Sequence, residues 1–159
     1  MPKLLTILGA RPQFIKAAAL TRAIESNPQY GWTQEILHTG QHYDHTLSKV
    51  FFDTLGLPEP KWQISLENST RPERMEEMKV GIQKCIDECK PSAVLVYGDT
   101  DSTLAGAQIT KKSNIPLIHV EAGLRSFDLA MPEELNRIET DKLADILVAP
   151  TKLHYKILK

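Results

Sequence analysis

Short apolar runs recur along the chain, and a longer stretch of helical character follows almost every one of them. The clearest runs are KLLTILG at 3–9, AVLVYG at 93–98, IPLIHV at 115–120 and DILVAP at 145–150. Strands that are apolar on both faces are typical of parallel sheets covered by helices on each side. The pattern therefore predicts one α/β domain with a doubly wound, Rossmann-like parallel sheet.

Weaker signals complete the order of elements. TQEILHTG at 33–40 and WQISL at 62–66 are strand-like. Thr70 and Glu73 have the spacing of a capping box, which predicts the start of a long helix. The predicted helices cover residues 14–26, 45–56, 70–90, 102–112 and 132–142, and a last one starts near Thr151.

Length and charge exclude several classes of protein. A chain of 159 residues is long enough for one well-buried domain and too short for two of ordinary size. The net charge of −1 does not suit a nucleic-acid partner. The apolar runs fall far short of the roughly 20 residues that span a membrane, and the N-terminus lacks a signal-peptide pattern. We therefore expect a cytoplasmic protein.

Cofactor and metal signatures do not occur in the sequence. Cys85 and Cys89 lie four residues apart on a predicted helix, and no nearby His or Cys completes a metal site. Two reduced, semi-buried thiols are the favoured interpretation. The chain has no dinucleotide fingerprint either, so we predict no cofactor and no metal.

Polar residues follow the predicted strands, and ligands in open α/β sheets bind at the carboxyl ends of strands. After the first strand, Gly9, Arg11 and Lys16 in GARPQFIK suit either a phosphate-binding turn or a turn with solvated basic residues. After the second strand, His42 and His45 are acid–base candidates or simple loop residues.

Carboxylates follow the two central strands. Asp99 comes after Gly98 at a strand end, and one of residues 100–103 should cap the next helix. Glu121 ends an apolar strand, where partial desolvation suits proton transfer, and an ion pair with Arg125 is the alternative. Glu133 and Glu134 stand at a helix start, a position that favours carboxylates without any catalytic role.

Together, Asp99, Glu121 and Glu133 come from neighbouring strand ends, so we expect three carboxylates in one crevice. Like charges that converge in this way repel unless some are protonated or serve a ligand.

Five motifs, in order, resemble those of the non-hydrolysing UDP-N-acetylglucosamine 2-epimerase family. They are GARPQFIKA, TGQHYD, YGDTDSTLAGA, HVEAGLRSFD and MPEELNRIETDKLADILVAPT. The resemblance implies two Rossmann-like domains in the glycosyltransferase-B arrangement. Residues 1–159 match the N-terminal domain, and we expect the C-terminal, nucleotide-binding domain to be absent from this chain, which ends within a predicted helix.

The resemblance also implies a reaction. Family members eliminate UDP across C1–C2 to give a glycal, then add UDP back with a proton delivered to the opposite face of C2. Proton transfer on two faces requires more than one acid–base group, and departure of UDP requires positive charge near the diphosphate.

Site residues follow from the matching motif positions. Asp99, Glu121 and Glu133 resemble the catalytic carboxylates, and Glu121 and Glu133 are the candidates for proton transfer at C2. The residues expected to bind substrate are Arg11, Lys16, Gln41, His42 and Arg125.

Two departures leave the substrate open between two UDP-sugars. The chain has GARPQF where well-known members have GTRPE, and it has Tyr43 and Asp44 where bacterial members often have Arg and Gln. GARPQFIKA together with RSFD and MPEE also resembles the branch that acts on UDP-2,3-diacetamido-2,3-dideoxyglucuronic acid. Either substrate implies a homodimer that serves surface-polysaccharide synthesis, although the 159-residue chain alone should be inactive. A glycosyltransferase of the same architecture is the competing interpretation.

Overall fold

A computed structural model describes residues 1–41 and 52–159. The strands are β1 Lys3–Leu8, β2 Thr33–His38, β3 Trp62–Gln63, β4 Ala93–Tyr97, β5 Leu117–Val120 and β6 Ile146–Val148. The α-helices are α1 Arg11–Glu25, α2 Arg71–Cys89, α3 Asp101–Lys112, α4 Pro132–Leu143 and α5 Lys152–Ile157, with a 3₁₀ turn at Pro28–Tyr30. Residues 52–55 are also helical.

The six strands form one sheet in the order β3-β2-β1-β4-β5-β6, and every pair is parallel. Strand order reverses between β1 and β4, which are adjacent although α1, β2, β3 and α2 separate them in the chain. In sheets of this kind, the carboxyl ends of the two strands at the reversal form the ligand crevice. The topology therefore points to the turns after β1 and β4.

Alternate residues of the central strands enter two separate cores. Leu5 and Ile7 pack in one cluster with apolar residues of α2 and α3, whereas Leu4 and Leu8 pack in the other with residues of α1. Period-two alternation directs successive side chains to opposite faces of a strand. The doubly wound α/β fold predicted from the sequence is confirmed by this arrangement.

Several element bounds differ from the prediction. Helix α1 begins at Arg11 rather than at residue 14, because Pro12 fits the first turn of a helix, where its missing N–H is not needed. β3 spans only two residues, although Ile64 and Leu66 still pack against the core. Of the helix predicted over 45–56, only the part from residue 52 onward lies within the described residues.

The cysteines are more deeply buried than predicted. Cys85 and Cys89 are 2% and 3% exposed, and both are free thiols. Burial raises the pKa of each thiol to about 12, so neither is a ready nucleophile. No helix among the described residues is both long and apolar enough to cross a membrane.

Candidate active site

A cavity of 220 Å³ lies at the reversal of strand order. Its wall combines residues from the start of α1, the turn after β4, the end of β5 and the middle of α4. The charged residues that line it are Lys16, Asp99, Glu121 and Arg137. Two carboxylates and two cations of this chain therefore face one space.

Asp99 is placed by a left-handed turn after β4. Gly98 has φ 68°, a conformation that costs glycine little. One Asp99 oxygen lies 3.2 Å from Arg137 Nε, an ion pair without the alignment of a hydrogen bond. Burial raises the pKa of Asp99. The negative charges of Glu121 and Glu133 raise it further, and the positive charges of Arg137 and Lys16 only partly oppose these effects. Asp99 therefore holds a proton more readily than an ordinary aspartate.

Glu121 faces Asp99 from the end of β5. Its φ of 72° lies in the left-handed region that non-glycine residues rarely adopt. Oε1 of Glu121 accepts a hydrogen bond from Lys16 Nζ at 2.5 Å, and the two side chains are 24% and 41% exposed. Glu121 thus forms its ion pair with Lys16 of α1, and the alternative of a pair with Arg125 is wrong.

The two acids at the start of α4 have different environments. Glu133 is exposed and does not line the cavity, although its charge raises the pKa of Asp99. Glu134 is 1% exposed and accepts hydrogen bonds from the amides of Ser126 and Phe127 at 2.9 and 3.1 Å. The structure brings Asp99 and Glu121 together and leaves Glu133 outside the cavity wall.

The structure places the five expected substrate-binding residues in different environments. Lys16 lines the cavity, and Arg11 is exposed at the start of α1. Gln41 accepts hydrogen bonds from the Ser102 amide and hydroxyl, at 3.0 and 2.5 Å, at the start of α3. Arg125 is paired with Asp141 at 2.7 Å. His42 and the neighbouring His45 lie outside the described residues.

Gln13 is a buried residue that makes several hydrogen bonds where the strand order reverses, and the sequence did not identify it. Its Oε1 accepts hydrogen bonds from the Gly9 and Ala10 amides, at 2.7 and 3.1 Å. Its Nε2 donates to the Tyr97 carbonyl at 2.8 Å and lies within 3.0 Å of Thr100 Oγ1. The Gly9 and Ala10 amides are therefore already bonded to Gln13 and are not free to bind a phosphate.

Two side chains of α4 were also missed. Arg137 is 11% exposed in its side chain and contacts both Asp99 and Glu134. Asn136 donates to the Asp99 carbonyl and to Asp101 Oδ1, both at 3.0 Å. Both residues lie in the motif MPEELNRIETDK, three and four positions after Glu133. This spacing places them on the same face of the helix as Glu133, so the sequence could have indicated them.

The helix that follows Asp99 is capped as expected. Thr100 is the N-cap of α3, and its hydroxyl accepts a hydrogen bond from the Thr103 amide at 3.3 Å. Asp101 is held by Arg71 through Nη2 at 2.7 Å, which ties α2 to the start of α3. The two residues that follow Asp99 are therefore fixed by a helix cap and by an ion pair.

A larger groove of 650 Å³ lies elsewhere, along α2 and residues 64–68. Its charged residues are mainly glutamates, and it lies beside the edge strand β3 rather than at the reversal of strand order between β1 and β4. Within residues 1–41 and 52–159, no three His, Cys, Asp or Glu side chains are arranged to hold a metal ion. The smaller cavity therefore remains the candidate site, because it combines proton donors and acceptors with cations.

Comparison with known proteins identifies similar chains. The family model described as UDP-N-acetylglucosamine 2-epimerase matches residues 22–159. UDP-2,3-diacetamido-2,3-dideoxy-D-glucuronate 2-epimerase of Pseudomonas aeruginosa is 48% identical over 157 residues, which are 99% of this chain and 44% of that protein. UDP-N-acetylglucosamine 2-epimerase of Methanocaldococcus jannaschii is 44% identical over 95% of this chain and 40% of its own length.

Solved structures agree with these sequence matches. The M. jannaschii UDP-GlcNAc 2-epimerase in complex with UDP-GlcNAc and UDP superposes with a TM-score of 0.91 and 43% identity, covering 98% of this chain and 42% of that one. MurG of Acinetobacter baumannii superposes with a TM-score of 0.65 at 13% identity, which indicates a shared fold alone. This chain spans about two fifths of the length of the curated epimerases it matches.

Proposed function

The chain belongs to the UDP-N-acetylglucosamine 2-epimerase family, and we propose that it is the acid–base half of a non-hydrolysing UDP-sugar 2-epimerase. The reaction would eliminate UDP across C1–C2 of the sugar and add it back after a proton reaches the other face of C2. The observation that carries the proposal is the pair of carboxylates, Asp99 and Glu121, that face one cavity beside two cations.

The cavity chemistry suits such a reaction. Asp99 has a raised pKa because of its burial, so it can be protonated nearer neutral pH than a solvated aspartate. Glu121 lies beside Lys16 and is the candidate base for C2. Glu133, at the start of α4, remains the proposed partner for the opposite face. General acid–base groups of this kind contribute about 10²–10⁴-fold to a rate.

The size of the cavity argues that this half does not bind the nucleotide alone. At 220 Å³ it is smaller than typical ligand pockets, which have volumes of about 300–1,000 Å³. We propose that the nucleotide is bound largely by a second domain of the complete protein, with Lys16 and Arg11 facing the diphosphate. Gln41, His42 and Arg125 keep their proposed roles in substrate binding.

Two alternative UDP-sugars are proposed as the substrate. UDP-N-acetylglucosamine and UDP-N-acetylmannosamine are the first pair, as the family description suggests. The 48% identical P. aeruginosa relative favours UDP-2,3-diacetamido-2,3-dideoxyglucuronic acid as the alternative. With either sugar, we propose a cytoplasmic homodimer that supplies surface-polysaccharide synthesis.

Proton NMR in D₂O on the complete protein tests the proposal. Offered each UDP-sugar in turn, the wild-type protein should incorporate deuterium at C2 as the epimer forms. Asp99→Asn, Glu121→Gln and Glu133→Gln should each lower that exchange by about 100-fold or more. Glu25→Gln, at the exposed end of α1, is the matched control and should exchange at the wild-type rate.

Three outcomes would count against the proposal. Wild-type protein without C2 exchange on either sugar would direct attention to the glycosyltransferase alternative. Epimer formation without deuterium incorporation would exclude elimination and re-addition. Wild-type exchange in any one of the three carboxylate variants would remove that residue from the mechanism.

A further inference from the structure

A buried ion pair lies directly behind the cavity wall. His119 of β5 is fully buried, and Asp141 of α4 is 7% exposed. His119 Nδ1 and Asp141 Oδ1 are 2.7 Å apart. Neither side chain lines the cavity, so neither has a part in the acid–base chemistry proposed above.

His119 reaches the turn that carries Asp99. Its Nε2 lies 2.7 Å from the carbonyl oxygen of Gly98, the residue that precedes Asp99. Asn136 holds the carbonyl of Asp99 itself at 3.0 Å. The two peptide groups on either side of the Asp99 side chain are therefore both fixed by buried side chains.

Asp141 reaches the turn that carries Glu121. Its second oxygen, Oδ2, accepts a hydrogen bond from the Gly123 amide at 3.1 Å and pairs with Arg125 at 2.7 Å. Gly123 lies two residues after Glu121, within the turn in which Glu121 adopts a positive φ. A backbone conformation of this kind persists only where the surrounding contacts define it.

The hydrogen-bonding partners of His119 define the orientation of its imidazole ring. A backbone carbonyl can only accept, so Nε2 must donate to Gly98. Burial acts to raise the pKa of Asp141, but the hydrogen bonds from His119 and Arg125 outweigh it and lower that pKa. Nδ1 lies against that carboxylate, so the ring is held between Asp141 and Gly98 with Nε2 as the donor to Gly98.

We propose that His119 and Asp141 are a positioning pair that sets the separation of Asp99 and Glu121 for proton transfer at C2. One end of the pair holds the Gly98 carbonyl and the other holds the Gly123 amide. This role rests on the proposed epimerase function and adds two residues to it that do not touch the substrate.

Two substitutions of His119 separate positioning from simple stability. His119→Gln places an amide N–H₂ near the position of Nε2, where it can still donate to Gly98. His119→Asn places its amide near Nδ1, so it contacts Asp141 and leaves the Gly98 carbonyl without a donor. In the complete protein, His119→Asn and Asp141→Asn should lower kcat about 100-fold with little change in KM, because small misplacements of reacting groups have effects of this size. His119→Gln, which keeps the Gly98 contact and loses only the contact with Asp141, should lower kcat much less than His119→Asn does.

Asp145 provides the matched control. Like Asp141, it accepts hydrogen bonds from a cation and from a backbone amide, here Lys111 Nζ at 2.7 Å and Leu117 N at 2.9 Å. Unlike Asp141, it lies at the amino end of β5, away from the cavity. Asp145→Asn should therefore keep the wild-type kcat even where it lowers the thermal midpoint.

Nitrogen NMR of the histidine-labelled wild-type protein tests the geometry independently of any variant. Nε2 of His119 should carry bound hydrogen, and a lone-pair signal on Nε2 would overturn the assignment. The positioning role would be overturned if the decrease in kcat were proportional to the decrease in thermal midpoint across the two His119 variants, Asp141→Asn and Asp145→Asn. Wild-type kcat in Asp141→Asn would overturn it as well. If wild-type protein fails to exchange C2 hydrogen, the proposed function fails first and this role falls with it.

Discussion

At the scale of single residues, opposing influences act on Asp99. Burial and two neighbouring carboxylates raise its pKa, while Arg137 and Lys16 lower it, and the raising influences prevail. The folded protein therefore holds the Asp99 proton more tightly than the unfolded chain does. Stability that this group provides at low pH is lost as the pH rises through the folded-state pKa. At neutral pH, the ionised carboxylate is a destabilising group.

Asp99→Asn should therefore raise the urea midpoint at pH 7 while it abolishes C2 exchange. The gain should shrink as the pH is lowered toward 3.8, the ordinary value for aspartate, because the carboxyl is then protonated. Asp145→Asn should have the opposite effect, since hydrogen bonds from Lys111 and the Leu117 amide lower the pKa of Asp145. A lower midpoint for Asp99→Asn at pH 7 would mean that the Arg137 pair outweighs burial.

Residue identity was partly predictable at this scale. Asp99 and Glu121 were identified because strand ends can be located from apolar runs, and parallel strands end at the same edge of a sheet. Glu133 and Glu134 were harder to separate, since both precede the same helix and only tertiary packing buries Glu134. Gln13 gave no signal, because a buried glutamine and an exposed one look alike in a helical sequence.

At the scale of elements, Gln13 joins two βα turns. Through one side chain, the turn after β1 is hydrogen-bonded to the end of β4 and the start of α3. These are the turns on either side of the reversal in strand order. The two turns that border the crevice are therefore linked directly by one side chain.

Gln13→Leu should lower the free energy of unfolding by about 3 kcal/mol, because a buried donor or acceptor without a partner costs roughly 1–3 kcal/mol. The groups left behind are the Gly9 and Ala10 amides and the Tyr97 carbonyl. Urea unfolding measures the change. Gln29→Leu, at an exposed glutamine whose side-chain amide donates to Asn27 Oδ1, should stay within about 0.5 kcal/mol of wild type. Equal stabilities for the two variants would show that water can replace the hydrogen bonds of the Gln13 side chain.

Elements at the sheet edges were predicted less well than those at its centre. β4 is buried and apolar throughout, and β1 is buried from Leu4 to Leu8 with Thr6 as the one polar residue in that range, so pattern alone located them. β3 is shorter than its apolar pattern suggested, and all three residues of β6 are exposed although the sequence predicted a buried strand. Edge strands have a neighbour on one side only, so hydropathy does not determine their length or burial.

At the scale of the whole molecule, acidic side chains bridge separate elements. Asp101 connects α3 to α2, Glu134 connects α4 to residues 126 and 127, and Asp141 connects α4 to β5. Burial acts to raise the pKa of each, but hydrogen bonds and cations outweigh it, so all three pKa values are lowered. The architecture on this side of the sheet therefore depends on ionised carboxylates.

The sign of the resulting pH dependence is opposite to that of Asp99. A carboxylate with a lowered pKa contributes stability that is present above its ordinary value and lost as the pH falls. The ordinary values are 3.8 for the two aspartates and 4.5 for Glu134, so the urea midpoint should begin to fall near these values. Glu134→Gln combined with Asp141→Asn should lower the midpoint at pH 7 and flatten its dependence on pH below 5. Glu76→Gln, which removes an exposed i,i+3 pair with Lys79 worth roughly 0–1 kcal/mol, should leave the profile unchanged. If the double variant kept the wild-type slope, other carboxylates would have to hold this side of the fold together.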